Sequence, residues 1–97
     1  MMKILIAEDE IYARKSMKKQ ILELDFGREF HILEAQNGEQ GMELFRQEEP
    51  DLVFTDIRMP KMDGLELLKE IKKENPEAKV IMVSAYADFA YAKSAIK

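Results

Sequence analysis

A chain of 97 residues with 46% apolar side chains makes one domain at most, with enough apolar material for a core. Fifteen Lys and Arg against 19 Asp and Glu give a net charge of −4, which excludes an overall basic footprint for nucleic acid, so no direct DNA contact by this domain is expected. No cysteine is present, which excludes disulfides and thiolate chemistry. The first apolar run, Ile4-Leu5-Ile6-Ala7, is too short for a signal-peptide core or a membrane span, and a cytoplasmic protein is the simplest expectation.

Short apolar runs alternate with amphipathic segments, the pattern of successive strand-helix units around a parallel sheet. The spacing predicts a first strand over Lys3 to Ala7 and a first helix over Ile11 to Leu24. Met17, Ile21 and Leu24 form the helix's inner face, and Lys15, Lys18 and Lys19 turn to water. Asp25 to Gly27 breaks that helix. Phe30, Ile32 and Leu33 mark a second strand and Asn37-Gly38 a turn. A second helix buries Met42, Leu44 and Phe45 and stops at Pro50. Leu52 to Thr55 is a third strand. A third helix follows Gly64, buries Leu65, Leu68 and Ile71, and ends at Asn75-Pro76, because proline cannot donate to a helix and restricts the residue before it. Val80 to Val83 is a fourth strand. Asp88 is placed to cap a fourth helix with Phe89, Ala92 and Ile96 inward.

Three of these strands end in groups that carry chemistry. The first runs into Glu8-Asp9-Glu10, the third into Asp56 and a rigid turn, and the fourth into Ser84. In an open parallel sheet the carboxyl ends of strands converge at the topological switch point, so these residues are expected to share one pocket. Clustered carboxylates repel unless a cation neutralises them. Magnesium is hard, prefers oxygen, and takes one or two carboxylates plus water and phosphate oxygens, so the cluster reads as a magnesium-dependent phosphoryl site. Blander readings serve other residues. Asp51 and Asp63 are read as turn or capping residues, and His31 as structural or simply exposed. The seven methionines are read as packing filler and the three lysines of the first helix as a solvated face.

The acidic pair after strand one, Asp56 within Thr-Asp-Ile-Arg-Met-Pro-Lys-Met-Asp-Gly, and Ser84-Ala85 after strand four resemble the receiver domain of bacterial two-component response regulators over the whole chain. The resemblance implies a flavodoxin-like doubly wound α/β fold with strand order 2-1-3-4. It also implies a phosphoryl group passed from a sensor histidine kinase to Asp56, and a magnesium ion held by Asp9, Glu8, Asp56 and the backbone carbonyl of Arg58. Glu8 stands where aspartate is common and reaches farther, so it is expected to act through water. Ser84 matches the hydroxyl that senses the phosphate.

Receivers of this kind have five strands and five helices in about 120 residues. The strand and helix expected to follow Ile96 are missing, and with them the lysine that pairs with the phosphate. Slow or absent phosphorylation of this segment alone, and self-association through its uncovered edge, are expected on that ground. The run from Ser84 to Ile96 further resembles receivers that precede an AraC-type DNA-binding domain, which implies transcriptional output. The rival expectation is a pseudo-receiver, an interaction module without phosphotransfer; the intact acidic trio argues against it. A flavin-binding or hydrolytic relative with the same sheet order lacks support, because this sequence has no glycine-rich phosphate loop and Asp56-Ile57-Arg58 has no second aspartate.

Overall fold

The computed structural model describes residues 1–83. Within them three helices and four strands alternate: β1 (Met2–Ala7), α1 (Ile11–Leu22), β2 (Phe30–Ala35), α2 (Gly38–Glu48), β3 (Leu52–Asp56), α3 (Gly64–Glu74) and β4 (Lys79–Val83). The strands form one parallel sheet in the order β2-β1-β3-β4, as expected. The chain steps one way from β1 to β2 and then crosses back past β1 to β3, so the switch point lies between β1 and β3.

The central strand β1 is apolar on both faces because both are covered. Leu5 and Ala7 point to one layer, with Met42 and Phe45 of α2 and Leu67 and Ile71 of α3. Met2, Ile4 and Ile6 point to the other, with Met17 and Ile21 of α1 and Phe54 of β3. The period-2 alternation of strand side chains divides β1 between the two layers and fixes its register. Ala7 lies level with both Ala35 and Thr55, so the three strands end at one edge.

Strand bounds agree with the sequence reading to within a residue or two. The helices differ more. The first ends at Leu22, where the backbone N–H of Glu23 returns to the Gln20 and Ile21 carbonyls, and Leu24 beyond it is exposed rather than part of the inner face. Asp25 then accepts from the Gly27 N–H, and the positive φ of Gly27 turns the chain. Asn37-Gly38 is a helix start rather than a free turn: the Asn37 side chain accepts from the Gln40 N–H as the N-cap of α2. The buried leucine of α3 is Leu67, with Leu68 packed beside it and Leu65 exposed. Asp63 caps α3 in a reciprocal capping box with Glu66. Asp51 bonds to main chain, but across the sheet to the Lys3 N–H rather than within its own turn.

His31 is exposed, and Met2, Met17, Met42, Met59 and Met82 are buried in the packing. Lys15 and Lys19 face water, while Lys18 reaches Glu34 at 3.3 Å. The expected Asp88-capped helix and Ser84 lie outside the described residues. Among the described residues, no helix is long and apolar enough to cross a membrane.

Candidate metal and phosphoryl site

The end of β1 delivers Glu8 and Asp9, and the end of β3 delivers Asp56. One carboxylate oxygen from each lies within 4.8 Å of the others. The three residues approach from adjacent central strands because Ala7 and Thr55, their predecessors, are register partners. Glu8 is buried, Asp56 half-buried and Asp9 exposed, so the cluster is closed on one side and open to solvent on the other.

Glu8 is held on every side. Its N–H donates to the Ala35 carbonyl at 3.0 Å, and its Oε2 accepts from the Glu10 N–H at 3.0 Å. Its carbonyl accepts from Arg14 Nη1 at 2.9 Å. Glu10, the third acid of the run, is spent elsewhere: its carboxylate caps α1 by accepting from the Ala13 N–H at 2.8 Å. Asp56 accepts from the Ile57 N–H at 2.8 Å, and the hydroxyl of buried Thr55 donates to the Asp56 carbonyl at 3.0 Å.

The turn beyond Asp56 is pressed against the strand end. The Gly64 N–H donates to the Ile57 carbonyl at 2.8 Å, and a Cβ on Gly64 would stand 2.0 Å from the Asp56 carbonyl oxygen. Only glycine fits that approach. Buried Met59 anchors the turn in the core, while the Arg58 side chain is exposed.

Burial raises the Glu8 carboxyl from 4.5 to about 8; the Glu10 amide opposes this, while its hydrogen bonds with Asp9 and Asp56 and the Asp56 charge add to it. Burial also raises Asp56, against the pull of the Ile57 and Arg58 amides and the Glu8 hydrogen bond, and the Asp9 charge adds to the rise. Without a cation, then, burial holds both carboxyls above their ordinary range. The donor set is all oxygen, anionic, crowded and reachable from solvent, which fits a hard divalent ion such as magnesium better than a soft one.

A family model, the response regulator receiver domain, matches residues 4–97. The chain belongs to this family. A chemotaxis protein CheY of Listeria monocytogenes is 39% identical over 97 residues, covering all of this chain and 79% of that protein. The uncharacterized transcriptional regulatory protein YesN of Bacillus subtilis is also 39% identical over 97 residues, but the receiver corresponds to only 26% of its length. Among solved structures, the Thermotoga maritima response regulator TrrA in complex with Mg(2+)-BeF superposes with a TM-score of 0.82 at 33% identity. That match covers all of this receiver and 83% of the TrrA chain.

Sequence reasoning identified all three carboxylates that the fold brings together. It missed Arg14, which is buried on α1 in line with Met17 and Ile21. The signal was present, since an arginine at positions i, i+3 and i+7 with two core residues interrupts an apolar stripe. A charge there reads as surface unless the acceptors above it are known.

Proposed function

We propose that this receiver is a cytoplasmic phosphoacceptor spanning residues 1–97, a regulatory domain rather than an enzyme, and that a sensor histidine kinase supplies its phosphoryl group. An Asp56 carboxylate oxygen attacks the phosphorus of a phosphohistidine in line. The O–P bond forms as the N–P bond breaks, and the imidazole nitrogen keeps the electron pair. Glu8, Asp9, Asp56 and the main-chain carbonyl of Arg58 would hold the magnesium ion. Magnesium supplies charge neutralisation on the transferring oxygens and keeps the carboxylates ionised.

The observation that carries this reading is the convergence of three carboxylates within 4.8 Å at the switch point. The closed side positions Glu8, and the open side leaves Asp56 accessible to a donor. Glu8 is buried within the cluster, and its longer side chain would act on the ion through water. Ser84 is the hydroxyl assigned to sense the phosphate. Such a hydroxyl switches the domain only if it binds the phosphorylated state in one conformation better than the other. Similarity to a transcriptional regulatory protein supports control of transcription as the output.

Intact-mass analysis after exposure to magnesium and a small acyl phosphate tests the reading. A phosphoryl adduct, slow to form on this segment alone, is the supporting result on the chain, with none on Asp56→Asn. An adduct that persists in the variant would remove Asp56 from the role. Magnesium binding without an adduct would mean that these carboxylates do not suffice for transfer, and neither binding nor adduct would favour the interaction-module alternative.

A further inference from the structure

Arg14 is the charged side chain that the site geometry leaves without an assigned purpose. It sits on the buried stripe of α1 with Met17 and Ile21, only 8% exposed. Its Nη1 donates to the Glu8 carbonyl at 2.9 Å and its Nε to Glu34 Oε1 at 3.2 Å. Glu34 in turn accepts from Lys18 at 3.3 Å. One guanidinium therefore ties the first turns of α1 and the end of β2 to the main chain of a site carboxylate.

Stability does not explain this choice. Taking a guanidinium out of water is costly, and well-packed apolar replacements of buried ion pairs are often neutral or stabilising. A methionine or leucine would continue the stripe of Met17 and Ile21. What an apolar side chain lacks is the planar fork that bonds a carbonyl and a carboxylate at once. The Glu8 side chain meets Asp56 only if the Glu8 main chain is held at its present depth. The other main-chain tie there, from the Glu8 N–H to Ala35, leads to the same end of β2 that carries Glu34.

We propose that Arg14 is a positioning residue: it fixes the Glu8–Glu10 loop so that the carboxylates of Glu8, Asp9 and Asp56 stand ready for a divalent cation. This rests on the magnesium reading of the site. It goes beyond that reading by assigning the site's geometry to a side chain that touches neither metal nor phosphate. Partners that orient metal ligands typically contribute 10–100-fold in affinity.

The test is magnesium affinity, measured by calorimetry well below the unfolding midpoint, together with the midpoint of the metal-free chain, for wild type, Arg14→Met and Glu34→Ala. Arg14→Met is expected to bind magnesium about tenfold more weakly while its metal-free midpoint is unchanged or higher. Glu34→Ala is expected to weaken binding in the same direction by a smaller factor. It carries the test if Arg14→Met fails to fold. Wild-type affinity in a folded Arg14→Met, or in Glu34→Ala should it stand alone, would overturn the positioning role and leave the phosphoacceptor reading intact. A wild-type chain that binds no magnesium would overturn the magnesium reading itself, and this proposal with it.

Discussion

The two edges of the sheet use the same residue types to opposite ends. At the amino ends of the strands, acids meet donors. Lys3 Nζ reaches Glu48 at 3.2 Å, the Lys3 N–H donates to Asp51 at 2.7 Å, and Arg46 holds Glu74 at 2.6 Å. At the carboxyl ends Glu8, Asp9 and Asp56 crowd together, and among the described residues no ion pair reaches any of them. The buried guanidinium nearest that cluster, Arg14, is committed to a carbonyl and to Glu34. One edge spends its charge on holding the fold. The other stores electrostatic cost that a bound cation would relieve, and the packing between the edges makes that cost bearable.

The largest expected effect comes from disturbing the turn that supports the acidic edge. Gly64→Ala drives a Cβ into the Asp56 carbonyl, so the strand end must move, and destabilisation of about 3 kcal/mol is expected in urea unfolding. The packing between the edges comes next. Leu67→Ala should cost about 3 kcal/mol, because Leu67 is fully buried, whereas Leu65→Ala on the exposed side should stay within about 0.5 kcal/mol.

The edges themselves should then respond with opposite sign. Asp51→Ala removes the acceptor of a main-chain N–H and should cost about 1 kcal/mol. Asp56→Asn removes a half-buried like charge and should raise the metal-free melting temperature, the gain disappearing when magnesium is added. A lowered metal-free midpoint for Asp56→Asn would break the contrast.

A further effect is a slope with pH. Because the Glu8 carboxyl is raised from 4.5 to about 8, the folded metal-free chain holds a proton in that window that the unfolded chain has released. The native state then binds more protons than the unfolded one, so this contribution is complete below the lower value and is lost as pH rises through the upper. Metal-free melting points should fall across that window, and magnesium should restore more stability at its alkaline end.

Much of this contrast was legible in the chain. Strands β1 and β3 declare themselves because strands buried on both faces read as unbroken apolar runs, and each stops where acids begin. Converging ends follow from the parallel alternation alone. The inner face of α3 did not follow. Leu65, Leu67 and Leu68 permit two stripes that both include Ile71, and contact with α2 chooses between them. Leu67 nestles where Gly41 of α2 leaves room, its Cδ2 only 3.3 Å from where a Cβ on that glycine would stand. The end of α1 was misplaced because Asp25-Phe26-Gly27 is strong punctuation, while the helix itself closes three residues earlier on its own carbonyls. Arg14 and Asp51 were missed or misjudged for one shared reason. Each bonds to a partner distant in sequence that only the assembled sheet brings near, Arg14 to Glu34 and Asp51 to the Lys3 N–H.

A magnesium titration followed amide by amide on the wild-type chain tests the contrast most directly. The expected result is saturable change at Glu8, Asp9, Asp56 and Ile57, little change at Lys3, Glu48 and Asp51, and loss of the response in Asp9→Asn. Equal changes at both edges, or no saturable change at the carboxyl ends, would contradict the assignment of that edge as a cation and phosphoryl site.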